Sequence, residues 1–297
     1  MDSLTTSIII INKSDPRVEL TLEALHADPA VQSANTEIIV VDASSGGLGH
    51  LHSRFPDVRW IPFEAPKGSV TIPHQRNVGL QSTEADIVVF TDAACLPKED
   101  WLERLTAPIR DGEDKIVAGV ALSPEGSLRD EAVNRIADER YLREAPTINL
   151  AIDREVIAAV GGFDERFAYG SDVDFSWRAI DAGFRIRNRP DAVVVHDWGT
   201  PAEELHRSWR YGRARARLYL KHKHRWRDLF GCDLPLVAYP VYLLALPITF
   251  RRPWLHLSLL LPIYRNRGRR PVVTLADHFI RGAAAIVELS DHVVGSH

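Results

Sequence analysis

The first stretch of the chain alternates short, wholly apolar runs with segments of helical period. Ser7–Ile11 is continuous and β-branched, the form of a parallel strand buried on both faces. After Asp15-Pro16, the residues Val18, Leu22 and Leu25 fall at i, i+4 and i+7, one face of a helix. Glu37–Asp42 reads as a second buried strand, closed by the turn residues Ser44-Ser45-Gly46-Gly47, and Asp86–Asp92 repeats its form. Strand, helix and strand at this spacing predict an α/β fold with a mostly parallel central sheet, Rossmann-like, flanked by helices.

Two of these strands end in an acidic residue, Asp42 and Asp92. In open α/β sheets ligands bind beyond the carboxyl ends of the strands, so both side chains are placed at that edge. An Asp there also serves as a simple turn former.

From residue 147 the pattern changes. Asp153–Val160 reads as a short helix with Asp153 as N-cap and Gly161 at its end. A loop follows to Gly170, and a second helix opens at Asp172, with Val173, Trp177 and Ile180 on one face and Gly183 as its stop. Ala192–Val195 forms a short strand ending at His196-Asp197.

The composition shifts after Pro201, which sets residues 1–200 apart from a helical extension at 201–297. Residues 1–200 hold 20 Lys and Arg against 33 Asp and Glu, whereas residues 201–297 hold 16 against 7. The acidic part disfavours nucleic acid, and the basic part suits phosphates or anionic lipid. Its segment 204–227 interleaves arginines with Trp209, Tyr211, Tyr219 and Trp226, compatible with a helix near an acceptor rather than a nucleic-acid surface. Leu234–Phe250 is a 17-residue apolar run containing Pro235, Pro240 and Pro247, at the short limit for a membrane span. Arg251-Arg252 follow it, and Trp254–Tyr264 is apolar again, closed by Arg265, Arg267, Arg269 and Arg270. Basic and aromatic edges around apolar stretches suit a segment lying in the headgroup zone of a membrane. Burial against the rest of the chain, or in a homo-oligomer, is the alternative.

The two cysteines, Cys95 and Cys232, make no disulfide framework and suit a reducing compartment. The start of the chain lacks the basic and apolar pattern of a targeting segment. A cytoplasmic location, peripheral at the inner face of the cytoplasmic membrane, is therefore the expectation.

Six motifs then appear in order: Ser7-Ile-Ile-Ile-Ile-Asn12, Glu37-Ile-Ile-Val-Val-Asp-Ala-Ser44, His74-Gln-Arg-Asn-Val-Gly79, Val89-Phe-Thr-Asp-Ala-Ala94, Val160-Gly-Gly-Phe-Asp-Glu165 and Tyr169-Gly-Ser-Asp-Val-Asp174. In this order and spacing, over residues 7–200, the chain resembles the inverting family 2 glycosyltransferases, whose fold is GT-A. The resemblance implies transfer of a single hexosyl or deoxyhexosyl unit from a nucleotide diphosphate sugar to a hydroxyl of a glycan, a lipid-linked acceptor or a small molecule, in cell-envelope or glycan synthesis.

The same resemblance implies the roles of single residues. Ile11, Asn12 and Asp42 would hold the base and ribose, since a carboxylate can accept from a pyrimidine N–H. Arg76 and Asn77 would meet the diphosphate, Arg76 through a forked contact. Gly161 and Gly162 would let the backbone approach the sugar. Asp92 matches the first acid of the family's Asp-x-Asp metal motif, and His196 matches a position that completes the metal site. The second acid is replaced by Ala94, and Cys95 is too soft a ligand to stand in for it. A divalent cation, magnesium or manganese, is thus implied by the family and put in question by this sequence.

Asp172 matches the catalytic base, which takes the acceptor's proton; the Glu that usually precedes it is Ser171. Asp174 lies some 200° further round the helix, so the two acids cannot share one site. Two rivals to this reading are a sugar-phosphate nucleotidyltransferase, whose Gly-rich phosphate loop after the first strand is replaced here by Asn12-Lys13-Ser14, and a non-catalytic nucleotide-binding relative.

Overall fold

The computed structural model describes residues 4–66, 72–124, 138–259 and 271–294. They form two compact units, one ending at Asp197 and the other beginning at Trp198.

In the first unit β1 (Thr6–Asn12), β2 (Thr36–Asp42), β3 (Arg59–Pro62) and β4 (Ile87–Asp92) run parallel, ordered β3-β2-β1-β4. The continuous apolar runs are buried on both faces: Ile8, Ile9, Ile10, Ile39, Val40 and Val41 are fully enclosed. The connecting helices are α1 (Val18–His26), α2 (Gly49–Arg54) and α3 (Ile72–Gln81). Val18, Leu22 and Leu25 make the buried face of α1, as their spacing requires.

Beyond β4 the sheet changes sense. After β5 (Cys95–Pro97) and α4 (Trp101–Arg110) come β6 (Ile116–Leu122), β7 (Tyr141–Leu142) and β8 (Asn149–Asp153). β8 lies between β4 and β6 and is antiparallel to both. The last strand, β9 (Ile186–His196), is parallel to β6 and antiparallel to β5 and β7. It is longer than the predicted Ala192–Val195. Pro190 and Asp191, which break the apolar pattern, are exposed on it, opposite a register shift between Ala118 and Val120. The result is the α/β architecture that the motifs implied, a central sheet flanked by helices.

α5 (Arg154–Val160) starts as read from the sequence: Asp153 accepts from the Glu155 amide at 2.8 Å, and Gly161, at φ 75°, ends the helix. α6 (Ser171–Asp181) differs. It opens one residue before Asp172, and its most buried positions include Ser171, Asp174, Phe175 and Ala179. Of the expected stripe only Trp177 is fully buried, with Val173 and Ile180 partly so. The hydrophobic pattern misled because an acid, Asp174, lies on the inner side, neutralised by Arg178.

The second unit starts with α7 (Pro201–Lys221), closed at its N-terminus by a capping box between Thr200 and Glu203. α8 (Trp226–Gly231), α9 (Leu234–Leu244), α10 (Leu246–Arg251), a 3₁₀ turn (Pro253–Leu259) and α11 (Pro271–Val294) follow. The 17-residue apolar run is thus two helices broken at Ala245, just before Pro247. No helix among the described residues is long and apolar enough to cross a membrane. Leu260–Tyr264 and the arginines 265–270 lie outside the described residues.

The basic stripe of α7 is largely spent inside this unit. Arg213 meets Glu288 and Asp291 of α11 at 2.6 Å each, Arg217 meets Glu288 at 2.7 Å, and Arg215 meets Asp233 at 2.7 Å. This narrows the expectation that the stripe serves external phosphates. Tyr239 is buried against His278 and Phe279. Val241, Leu244, Ile248, Phe250, Trp254 and Leu257 instead stay open to solvent, Leu244 at 74% and Phe250 at 75% exposure. Phe250 and Tyr242 both pack on His256, which gathers α9, α10 and the 3₁₀ turn into one patch edged by exposed Arg251 and Arg252.

Candidate active site

The parallel register brings three strand ends level. Asn12 of β1 stands opposite Asp42 of β2, and Ile11 stands opposite Asp92 of β4. Just past these ends the backbone turns through left-handed residues that are not glycine: Ser14 (φ 60°), Ser45 (φ 54°) and Ala94 (φ 65°). Such strained positions concentrate where a fold must present side chains rather than continue a strand.

Asn12 and Asp42 are both buried, and both help to shape this rim. Asn12 accepts from the Asp15 amide at 2.9 Å and donates to the Asp15 carbonyl at 3.1 Å, which fixes the β1–α1 loop. Asp42 accepts from the amide and hydroxyl of Ser44 at 2.9 and 2.7 Å. A carboxylate has lone pairs to spare beyond these two bonds, so Asp42 can still receive an N–H. The Asn12 side chain is committed to its loop.

Asp92 is the electrostatic centre. Burial raises its pKa, opposed by the positive charge of Arg76 and of His196, and Asp172 pushes it further up. Asp92 is half-buried. Three groups expected at the site from distant parts of the chain, Arg76, Asp172 and His196, are therefore within electrostatic reach of the Asp92 carboxylate.

His196 arrives through the β5–β9 pairing, where it stands opposite Cys95, three residues after Asp92. Its Nδ1 lies 3.6 Å from the Cys95 sulfur. Burial lowers the His196 pKa, and the Asp92 carboxylate partly offsets that. The Cys95 thiol is itself pushed up to about 12, mainly by burial, so it is no thiolate ligand.

Arg76, on α3, is 7% exposed. Its guanidinium donates to Ser171 Oγ at 3.1 Å and lies 5.4 Å from the centre of the Phe163 ring, and its buried Nε has no partner. The next residue, Asn77, has another task. Its amide donates to the Phe163 carbonyl and to Glu165 at 2.9 Å each and accepts from the Phe163 amide at 2.8 Å. His74, one turn earlier, pairs with Glu165 at 3.1 Å. Three residues of α3 thus grip the segment Phe163–Ser171, which leads into Asp172. Gly162 is needed for this grip, because a Cβ there would lie 2.5 Å from Asn77 Oδ1. Gly161 faces open space and serves the turn through its positive φ.

Asp172 is half-buried near the N-terminus of α6, with one carboxylate oxygen on the Val173 amide at 2.9 Å. The cap of that helix is Gly170, so Asp172 is not its N-cap. Asp174 points elsewhere and is fully buried on Arg178. The Ser171–Arg76 bond and the Phe163 ring beneath Arg76 were not singled out from sequence, although both residues lie in the quoted motifs.

Asp92 and His196 supply two donors of the oxygen and nitrogen type that a hard or borderline cation accepts, and burial favours the neutral imidazole that a ligand must be. They fit a cation that takes its remaining ligands from a bound phosphate and water. Ala94 brings no third side-chain donor.

Comparison with known proteins agrees with this geometry. The model of the family described as "Glycosyl transferase family 2" matches residues 7–164. A pre-mycofactocin glycosyltransferase of Mycobacterium tuberculosis is 35% identical over 180 residues, 55% of this chain; the chain spans only 38% of that relative's length. Glycosyltransferase AglE of Haloferax volcanii is 26% identical over 239 residues, covering 76% of this chain and 78% of the relative. Among solved structures, a mannosyltransferase from Pyrobaculum calidifontis in complex with GDP-Man and Mn2+ shares the fold, with a TM-score of 0.72 at 20% identity. That alignment covers 97% of this chain and 88% of the other.

Proposed function

Because the chain belongs to glycosyl transferase family 2, we propose that it transfers one sugar from a nucleotide diphosphate donor to an acceptor hydroxyl, with inversion. Family membership favours glycosyl over nucleotidyl transfer. The observation that carries the reading is the convergence of Arg76, Asp172 and His196 on Asp92, at the edge formed by three strand ends.

In this reading Asp42 accepts from the base, beside the backbone of Ile11 and Asn12, and Arg76 meets the diphosphate. Asn77, Gly161 and Gly162 act by shaping the loop against which the sugar rests. Asp172 takes the proton of the acceptor hydroxyl as that oxygen attacks the anomeric carbon. The bond from that carbon to the diphosphate oxygen breaks on the opposite face, and the nucleoside diphosphate leaves with the electron pair. Arg76 offsets the negative charge that develops on the leaving group. A divalent cation, when bound by Asp92 and His196, would add to that charge neutralisation.

The exposed apolar patch and its arginines support a peripheral place for the second unit at the inner face of the cytoplasmic membrane. A lipid-linked acceptor would suit that location. The patch would equally suit a homo-oligomer, which a sedimentation measurement in detergent-free buffer distinguishes.

Calorimetric titration with UDP, GDP and dTDP tests the donor. Preference for one of them supports the reading. Absence of binding by folded protein would move the chain to the non-catalytic relatives. For an identified donor and acceptor, proton NMR of the first-formed anomer tests inversion.

A further inference from the structure

The charge around Arg76 is distinctive. Its guanidinium is buried, rests on the Phe163 ring and has a neutral hydroxyl, Ser171 Oγ, as its hydrogen-bond partner. Its Nε is buried and has no hydrogen-bond partner. Asp92 is near enough to feel its charge, yet the two make no ion pair among the described residues. A buried cation with no carboxylate bound to it is costly unless an anion completes it. Two neighbouring positions that could have carried a carboxylate do not. Ser171 stands next to Asp172, and Ala94 stands two residues after Asp92 in a left-handed conformation that Asp adopts more readily than Ala.

We infer that Arg76, more than a divalent cation, holds the donor's diphosphate, so that the nucleoside diphosphate binds this chain without added metal. The inference rests on the nucleotide-sugar reading above and adds to it the nature of the phosphate partner. Nε and a terminal nitrogen of one guanidinium form the fork that two phosphate oxygens accept. The competing cation site has two protein donors, Asp92 and His196, and its Asp92 lies within electrostatic range of the same guanidinium, which opposes a second positive charge. Ser171 offers Arg76 a neutral hydroxyl in place of a carboxylate, and Ala94 leaves the cation one side-chain ligand fewer. Both departures from the family motif shift the balance the same way.

The test is calorimetry on the full chain with UDP and GDP, in EDTA and in manganese, with inorganic pyrophosphate as a probe for the phosphate site alone. The expected result is binding of the preferred nucleotide in EDTA, with manganese changing Kd by less than about tenfold. Arg76→Met should weaken the EDTA binding by about 10- to 100-fold. Ala94→Asp, placed where the backbone already suits Asp, should weaken EDTA binding and make manganese restore it. Melting curves of both variants establish that they are folded. Wild-type binding that vanishes in EDTA and returns with manganese overturns the inference and leaves the nucleotide-sugar reading standing. Folded protein that binds no nucleotide in either buffer overturns both.

Discussion

The Asp174 carboxylate, at 0% exposure, takes a 2.9 Å bond from Arg178 Nε, and the same guanidinium donates to the carbonyl of Gly162 at 2.6 Å and to that of Val160. Two acids in one helical turn therefore have separate duties. Asp174 secures the loop before α6, and Asp172 is left within electrostatic reach of Asp92.

Substitution should separate them. Asp174→Ala leaves the part-buried Arg178 guanidinium without its carboxylate and empties a fully buried position, and is expected to cost about 2 kcal/mol of stability, measured by urea unfolding. Asp172→Asn should leave the urea midpoint nearly unchanged and lower turnover by about 10²- to 10⁴-fold. Full turnover in Asp172→Asn would remove it as the base.

The grip of Asn77 on the Gly162–Phe163 segment predicts a coupled pair. Gly162→Ala drives a methyl towards Asn77 Oδ1, at 2.5 Å in the present geometry, and should destabilise by about 1–3 kcal/mol. In an Asn77→Ala background that penalty should shrink, because the clashing atom is gone. A double-mutant cycle reads the difference, and strictly additive losses would refute the contact.

The depressed pKa of His196 gives a pH dependence of defined sign. The folded chain keeps this imidazole neutral to lower pH than the unfolded chain, whose value is near 6.5. Between the two values the unfolded chain binds more protons, so the contribution is fully present above about pH 6.5 and is lost as pH falls through the folded value. His196→Gln should flatten the fall in urea midpoint between neutral and mildly acid buffer. An imidazole signal that titrates at or above the ordinary value would contradict the assignment.

Thiol chemistry should distinguish the two cysteines. Cys95 is buried, with its pKa raised to about 12, whereas Cys232 is exposed. Ellman's reagent should react quickly with Cys232 in the native chain and with Cys95 only after denaturation. Rapid modification of Cys95 in folded protein would contradict its burial.

For the second unit, flotation with vesicles provides the check. Phosphatidylglycerol vesicles should carry more of the chain than phosphatidylcholine vesicles, and Phe250→Glu with Trp254→Glu should weaken binding by roughly tenfold. Unchanged flotation, or a dimer broken by the same pair of changes, would assign the patch to self-association.

The sequence made the parallel half of the sheet plain because strands buried on both faces read as unbroken apolar runs, and their acidic ends marked the edge. The antiparallel half was hidden: β5 is three residues long, and β9 carries exposed Pro190 and Asp191. Its pairing with β5 is what brings His196 against Cys95 and within electrostatic reach of Asp92, a contact across about a hundred residues that no local pattern encodes. The motifs placed Arg76 and Asn77 together as phosphate partners. The structure parts them, since Asn77 spends its amide on Phe163 and Glu165 while Arg76 keeps an unmatched nitrogen. In the second unit, proline spacing disfavoured a single long helix, and only the fold revealed which of the described residues of the apolar run stay uncovered.

The hold of α3 on Phe163–Ser171 also has a mechanical side. Asn77, His74 and Arg76 would have to let go together before that segment could swing. It is a fixed jaw. If the proposed reading holds, any closing motion around a substrate is expected to come from other parts of the rim, and this braced wall would sort a sugar by its shape.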